Sequence, residues 1–320
     1  MSQNTPQTMN QNIPAVYAGL DIAKASLQLH FQGKSSDLPN TTSGHTHLVQ
    51  RLAAVPGVQV VCEATGGYER AVVAALHAAA IPVSVINPAR VRQFARASGK
   101  LAKTDPIDAA MLTAFGQALA PEPTAPRTAT EIKLAALISR RAQLLELQVA
   151  ERQRADTCTE PALAKLFTAW LAQMEKQIGK VEALIEALLA EQTTLANHVE
   201  RLDEITGVGR LTAVMVLAAR PELGQLNRRQ AAALAGLCPD NRDCGQWAGK
   251  RCIGGGRADV RRALYMAAVS ASQSNKLLKP FYDRLIAAGK PAKVALTAGM
   301  RKLIVLMNHL LKNPTFSLAN

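Results

Sequence analysis

Aromatic side chains are scarce in this chain: two Trp, four Tyr and six Phe among 320 residues. With so few rings the core must be built from Ala, Leu and Val, and alanine and leucine favour helix. No apolar run approaches the ~18 residues that would span a bilayer, so no membrane partner is expected. Residues 1–15 are polar, rich in Gln and Asn, and lack the apolar centre of a signal peptide; they read as a flexible leader. Cysteines are few and scattered: Cys62, Cys158, Cys238, Cys244 and Cys252. An odd set with no secretory signal predicts reduced thiols and a cytoplasmic location. The three between 238 and 252 have neither a Cys-x-x-Cys pair nor a nearby His, which argues against zinc. The C-terminal part lacks acids. Residues 228–312 hold sixteen Lys/Arg against four Asp/Glu, a net +12 of the chain's +13. A strongly basic region beside a part that carries acidic motifs is the charge layout of a protein that handles nucleic acid.

What is present begins with Tyr17-Ala18-Gly19-Leu20-Asp21-Ile22-Ala23-Lys24. An apolar run ends in one carboxylate, and Ser26 to Phe31 alternates with period two. The pair reads as a hairpin over 16–32 whose first strand is central and buried. An Asp at the end of a buried strand is costly without a partner, and a metal ion is one candidate. Residues 36–41 predict an edge strand and 44–54 a helix. Val58 to Glu63 is a second buried strand ending in a carboxylate; 69–80 is a helix and 81–86 a strand. Hairpin followed by αβαβ predicts a mixed sheet flanked by helices, with Asp21 and Glu63 at neighbouring strand ends. Thr104-Asp105-Pro106-Ile107-Asp108 starts a helix running to about Leu119, with Asp105 and Asp108 on one face of its first turn. Both acids would also complement the helix dipole.

Pro121 to Pro126, with three prolines in six residues, reads as a linker. Helices are predicted over 130–156 and 161–196. Their apolar stripe, from Leu134 to Leu188, needs a second surface, either the body of the protein or another protomer as a coiled coil. Ile205-Thr206-Gly207-Val208-Gly209 followed by a helix from Leu211 matches a helix-hairpin-helix turn, in which Gly207 and Gly209 would offer backbone N–H groups to phosphate. Between Cys238 and Arg257 the chain is basic and glycine-rich, with Arg242, Lys250, Arg251 and Arg257; five glycines between 245 and 256 predict an irregular, ligand-approaching loop. Arg261 and Arg262 then stand in the first turn of a helix over 259–272, where a phosphate would suit them. A last helix over about 293–312 closes the chain.

Taken together these stretches resemble the DEDD transposases of bacterial insertion sequences, the insertion-sequence-110 family, related to the Piv-type invertases. The stretches are Gly19 to Lys24, Glu63-Ala64-Thr65-Gly66, Val85 to Pro88, Lys103 to Asp108, Ile205 to Gly209 and Arg261 to Met266, in family order over about 16–312. The Gly-rich loop is similar to that of the insertion-sequence-1111 subgroup. The resemblance implies an α/β RuvC-like domain of the RNase H fold over 16–126, a helical coiled-coil hairpin for dimerisation over 127–199, and a mostly α transposase domain with a helix-hairpin-helix over 200–320. It implies that Asp21, Glu63, Asp105 and Asp108 form a catalytic quartet holding two Mg²⁺ ions, whose hard character suits carboxylate oxygen. It further implies DNA, both donor and target, and a non-coding bridge RNA as partners, and a homodimer or homotetramer whose composite site takes acids from one protomer and a nucleophile from another.

The family's nucleophile is a serine; here Cys244 occupies that place, before Gly245. Arg242, Lys250 and Arg251 would favour its thiolate, but phosphorus and Mg²⁺ prefer oxygen. Three other readings stay open. A junction resolvase or metal-dependent nuclease would need the acids but not Cys244. A sugar-kinase-like phosphotransferase would need a second phosphate loop, which is absent from the sequence. A non-catalytic nucleic-acid-binding protein would need neither acids nor thiol.

Overall fold

The computed structural model describes residues 16–99, 105–219, 221–240, 252–256 and 258–318. The chain divides at Pro126/Arg127 into two compact units.

The first unit is a five-stranded mixed sheet with helices on both faces. Its elements are β1 (Val16–Ile22), β2 (Ser26–Phe31), β3 (Lys34–Pro39), α1 (Thr42–Ala53), β4 (Val58–Glu63), α2 (Glu69–Ala78), β5 (Val83–Ile86), α3 (Pro88–Ala97) and α4 (Asp105–Leu119). The strand order is β3-β2-β1-β4-β5. β1, β2 and β3 run antiparallel in turn, and β4 and β5 run parallel to β1. β1 therefore lies at the centre, which its buried run Tyr17 to Leu20 requires. Strand alternation sends side chains to opposite faces. On one face Ala18, Leu20, Val60, Cys62 and Val83 meet Leu48 and Leu52 of α1 and Val72 and Leu76 of α2. On the other, Tyr17, Val61 and Ile86 meet Val91 of α3 and Met111, Leu112 and Phe115 of α4.

The Pro121–Pro126 stretch is fastened along β5 rather than left as a free linker. Thr124 N–H donates to Val83 O (2.8 Å), Val85 N–H donates to Thr124 Oγ1 (3.0 Å), and Ser84 Oγ donates to Glu122 O (2.8 Å). Buried Gln59 adds a bond from Nε2 to Pro121 O (2.7 Å). Proline removes a backbone donor but keeps its carbonyl, and Pro121 O accepts from both Gln59 and Ser84, while Thr124 between the prolines supplies the N–H that pairs with β5.

The second unit is helical: α5 (Ala129–Asp156), α6 (Pro161–Glu191), α7 (Thr193–Asp203), α8 (Arg210–Ala219), α9 (Arg228–Leu234), α10 (Ala258–Ser274), α11 (Leu278–Ala287) and α12 (Ala292–Lys312), with one small ladder of β6 (Pro239–Asp240) and β7 (Cys252–Ile253). α5 opens with a capping box: Glu131 N–H donates to Thr128 Oγ1 (3.2 Å) and Thr128 N–H to Glu131 Oε2 (2.7 Å). The helix expected over 161–196 breaks at Gln192, whose φ and ψ are −124° and 79°, and α7 begins at once. The irregular loop expected over 238–257 contributes the β6–β7 ladder at its ends. Much of the expected stripe (Leu134, Leu144, Ile178, Val181, Ile185 and Leu188) joins one core with α7, α8, α10 and α12. α12 is long and apolar enough to cross a membrane by length and composition alone, a test that a core helix also passes. It serves as the spine of this core, burying Leu296, Met300, Leu303, Ile304, Met307 and Leu310.

Candidate functional site

β1 and β4 pair in parallel through Leu20↔Cys62. One residue further on, Asp21 and Glu63 stand side by side, about 4.8 Å apart at the backbone by strand spacing. Both share the parity of Gly19 and Val61, so both lie on the α3/α4 face. Both are half-buried.

α4 lies on the same face of β1 through one close approach. Gly19 carries no side chain because α4 lies directly on it: a Cβ there would come within 2.0 Å of Ala109 O and 2.7 Å of Thr113 Oγ1. Thr113 Oγ1 accepts from Gly19 N–H (2.9 Å). Gly116 in turn lies against the ring of Tyr17. Residues 116, then 113 and 109, thus match 17, then 19, so α4 runs antiparallel to β1. Two strand residues advance ~6.7 Å and four helix residues ~6 Å. By that count the next step sets the backbone of the first turn of α4 towards the Asp21 end of β1. Asp108 is half-buried; the side chain of Asp105 is outside the described set. Among the described residues no three His, Cys, Asp or Glu side chains stand close enough together to hold a metal ion. The donors at the rim are all carboxylate oxygens, the chemistry that suits a hard divalent ion.

The loop after Glu63 contains a residue that the sequence reading passed over. Glu69 Oε2 accepts from Thr65 N–H (3.1 Å), Thr65 Oγ1 (2.9 Å) and Gly67 N–H (2.8 Å). Burial pushes its pKa up, but these hydrogen bonds outweigh burial and hold the carboxyl below its ordinary value. A Glu opening a helix just after Gly-Gly was the available signal. Cys62, beside Glu63 in sequence but on the opposite face, is pushed up to about 12 by burial, with Glu69 and Glu63 adding to it. It is no nucleophile. A cavity of about 420 Å³ opens near Val16, Tyr17, His30, Thr113 and Gln117, at the opposite end of β1 from the acids.

In the second unit α7, a short hairpin and α8 follow one another, and α7 packs on α8. Gly207 has φ +97°, and a Cβ on it would strike Ala271 N of α10 at 2.6 Å, so its role is close packing. Asn275 Nδ2 holds the hairpin by donating to Thr206 O (2.8 Å). A Cβ added to Gly209 would meet nothing within 4 Å, and the residue leads directly into α8. Arg261 donates to Gly255 O, and Arg262 donates to Glu146 (2.9 Å) at the surface. Such an exposed pair is worth about 0–1 kcal/mol and is readily exchanged for another anion. Arg242, Cys244, Lys250, Arg251 and Arg257 lie outside the described residues.

A mixed sheet with strand-end acids, followed by a basic helical unit, is the layout expected of an enzyme that cuts and rejoins DNA. Residues 18–160 match a DEDD transposase model of the IS110 type, and residues 199–283 match the model for transposases of the IS116/IS110/IS902 family. The chain belongs to this IS110 transposase family and is a DNA transposase/recombinase. It is similar to the pilin gene-inverting proteins of Moraxella bovis (27% identical over 303 residues) and Moraxella lacunata (26% over 303). Each match spans 91% of this chain and 94% of the relative. It is also similar to an uncharacterized 43.6 kDa protein of insertion element IS110 from Streptomyces coelicolor, 27% identical over 158 residues, 49% of this chain and 37% of that one. The family brings with it DNA as partner and a divalent-metal-dependent active site.

Proposed function

We propose that Asp21, Glu63, Asp105 and Asp108 together form the metal site at which this recombinase cuts and rejoins DNA. The observation that carries this is the parallel register Leu20↔Cys62, which puts Asp21 and Glu63 next in line at neighbouring strand ends, on the face where α4 lies against Gly19. The sheet order β3-β2-β1-β4-β5 supports a RuvC-like RNase H fold. Hard oxygen donors favour Mg²⁺, and the family resemblance supports two ions. Bound there, Mg²⁺ would neutralise phosphodiester charge and polarise its oxygens. The chain's own part is to hold two carboxylates rigidly on neighbouring strands and to lay α4 across them.

The family resemblance further supports Cys244 as the attacking group in place of serine, a bridge RNA that selects DNA by base pairing, and an oligomer. The α7–hairpin–α8 arrangement supports a helix-hairpin-helix grip on backbone phosphate, with Gly209 presenting the open N-terminus of α8 and Arg261 and Arg262 nearby in sequence to Arg257 and the Gly-rich loop.

Labelled DNA, Mg²⁺ and the full-length protein test the reading. Asp21→Asn and Asp105→Asn should lower strand cleavage about a thousandfold or more, since several kcal/mol of charge stabilisation is lost. DNA binding should change by less than about threefold. Full cleavage by either variant rejects the metal site. Cys244→Ser should be at least as active as the native protein and Cys244→Ala should form no covalent protein–DNA adduct. Full strand exchange by Cys244→Ala would move the reading to a water-dependent nuclease.

A further inference from the structure

The loops that follow the two acid-bearing strands are tied to each other. Asn40, just past β3, donates through Nδ2 to Ala23 O (2.9 Å) and to Tyr68 O (3.4 Å). Ala23 lies two residues past Asp21, and Tyr68 five past Glu63. Because Asn40 donates through Nδ2, its Oδ1 accepts, and His45 Nε2 at 2.7 Å must carry the proton. Burial lowers the pKa of His45, which keeps the ring neutral in that tautomer. From the other side, the three bonds to Glu69 fix Thr65 and Gly67. The loop between Glu63 and α2 is thus held at both ends.

What this held loop presents is a ring. Tyr68 stands at the N-cap of α2 with α-helical backbone angles, and its side chain makes no cap hydrogen bond. The side chain is 50% exposed in a protein with only four tyrosines. Packing does not account for a large ring left half in water, on a loop this firmly tied, at the rim that carries Asp21 and Glu63.

We propose that Tyr68 is a stacking platform for a nucleobase of the DNA strand whose phosphodiester meets the acids, making it a positioning residue for strand cleavage. The proposal rests on the metal-site reading for what the strand is positioned against. Base–aromatic stacking is sequence-tolerant, because every base has a π-face. The hydrogen bonds that Asn40 donates and Glu69 accepts already order the loop, so little conformational entropy is lost on binding.

The test uses full-length protein in metal-free buffer and a single strand of mixed sequence. One 2-aminopurine, and separately one abasic site, is moved along the strand base by base. Tyr68→Ala should weaken binding about tenfold, abolish the 2-aminopurine quenching at one or two positions, and cost nothing further when those positions are abasic. Tyr68→Phe keeps the ring and should match the native protein in both readouts. The melting temperature should be unchanged, since the ring supports no core. Three results would each overturn the proposal: native affinity in Tyr68→Ala, equal impairment in Tyr68→Phe, or the same loss on abasic and intact strands. The acid reading is tested separately, by cleavage with Asp21→Asn, so either idea can fail alone.

Discussion

At the scale of single residues, side-chain hydrogen bonds fix the loop that follows Glu63. Glu69 shows this most directly. Its folded-state pKa is held below the ordinary value, burial opposing and the hydrogen bonds from its own backbone, Gly67 and Thr65 prevailing. A depressed carboxyl stabilises the fold at any pH above its unfolded pKa, ~4.3, and that contribution is lost as pH falls through the folded value. The melting temperature of the native protein should therefore exceed that of Glu69→Gln at pH 7 and converge on it below about pH 4. A constant gap across that range would show that the carboxylate charge is not what ties the loop. Little of this was legible beforehand. The strand-end positions of Asp21 and Glu63 could be read because an apolar run that stops at a carboxylate is a local pattern. The need for glycine at position 19 could not, since the atom that forbids a side chain, Ala109 O, is ninety residues away in the chain.

At the scale of elements, periodicity located the helices but not what covers them. The buried half of the α5–α6 stripe lies in the core. Leu163, Leu166 and Trp170, at helical spacing along the start of α6, remain 49%, 65% and 52% exposed, and Leu147 of α5 is 50% exposed. A tryptophan within an apolar stripe is the composition of an interface centre. Light scattering at micromolar concentration should give a dimer or a higher even oligomer, and Leu166→Asp with Trp170→Asp should reduce it to monomer. A native protein that is strictly monomeric, with and without RNA, would reject the coiled-coil role. Two features escaped the sequence for a shared reason. The break at Gln192 has no Gly or Pro to announce it, and the three prolines of Pro121–Pro126 announce the boundary between the two units but not the hydrogen bonds that fasten the stretch to β5. Both are decided by tertiary contacts, which local propensity does not contain.

At the scale of the whole molecule, charge and chemistry are divided. Residues 228–312 carry +12, and the rest of the chain, including all four proposed metal ligands, carries +1. Phosphate binding and phosphate chemistry place opposite demands on a surface, because carboxylates repel the backbone they must act on. Separating them along the chain lets the basic region supply affinity while the proposed metal ligands lie in the other part of the sequence. Each phosphate neutralised by Lys or Arg releases about 0.9 counterion from duplex DNA, so affinity falls linearly in log–log against salt. If about six contacts form, binding should weaken by about a thousandfold between 50 and 200 mM salt. Lys250→Ala with Arg251→Ala should make that slope shallower by about two. Neutralising Lys133 and Lys180, two cations outside the basic region, should leave the slope unchanged. An equal change in both pairs would show that affinity is spread over the molecule and that the division of charge has no bearing on how DNA is held.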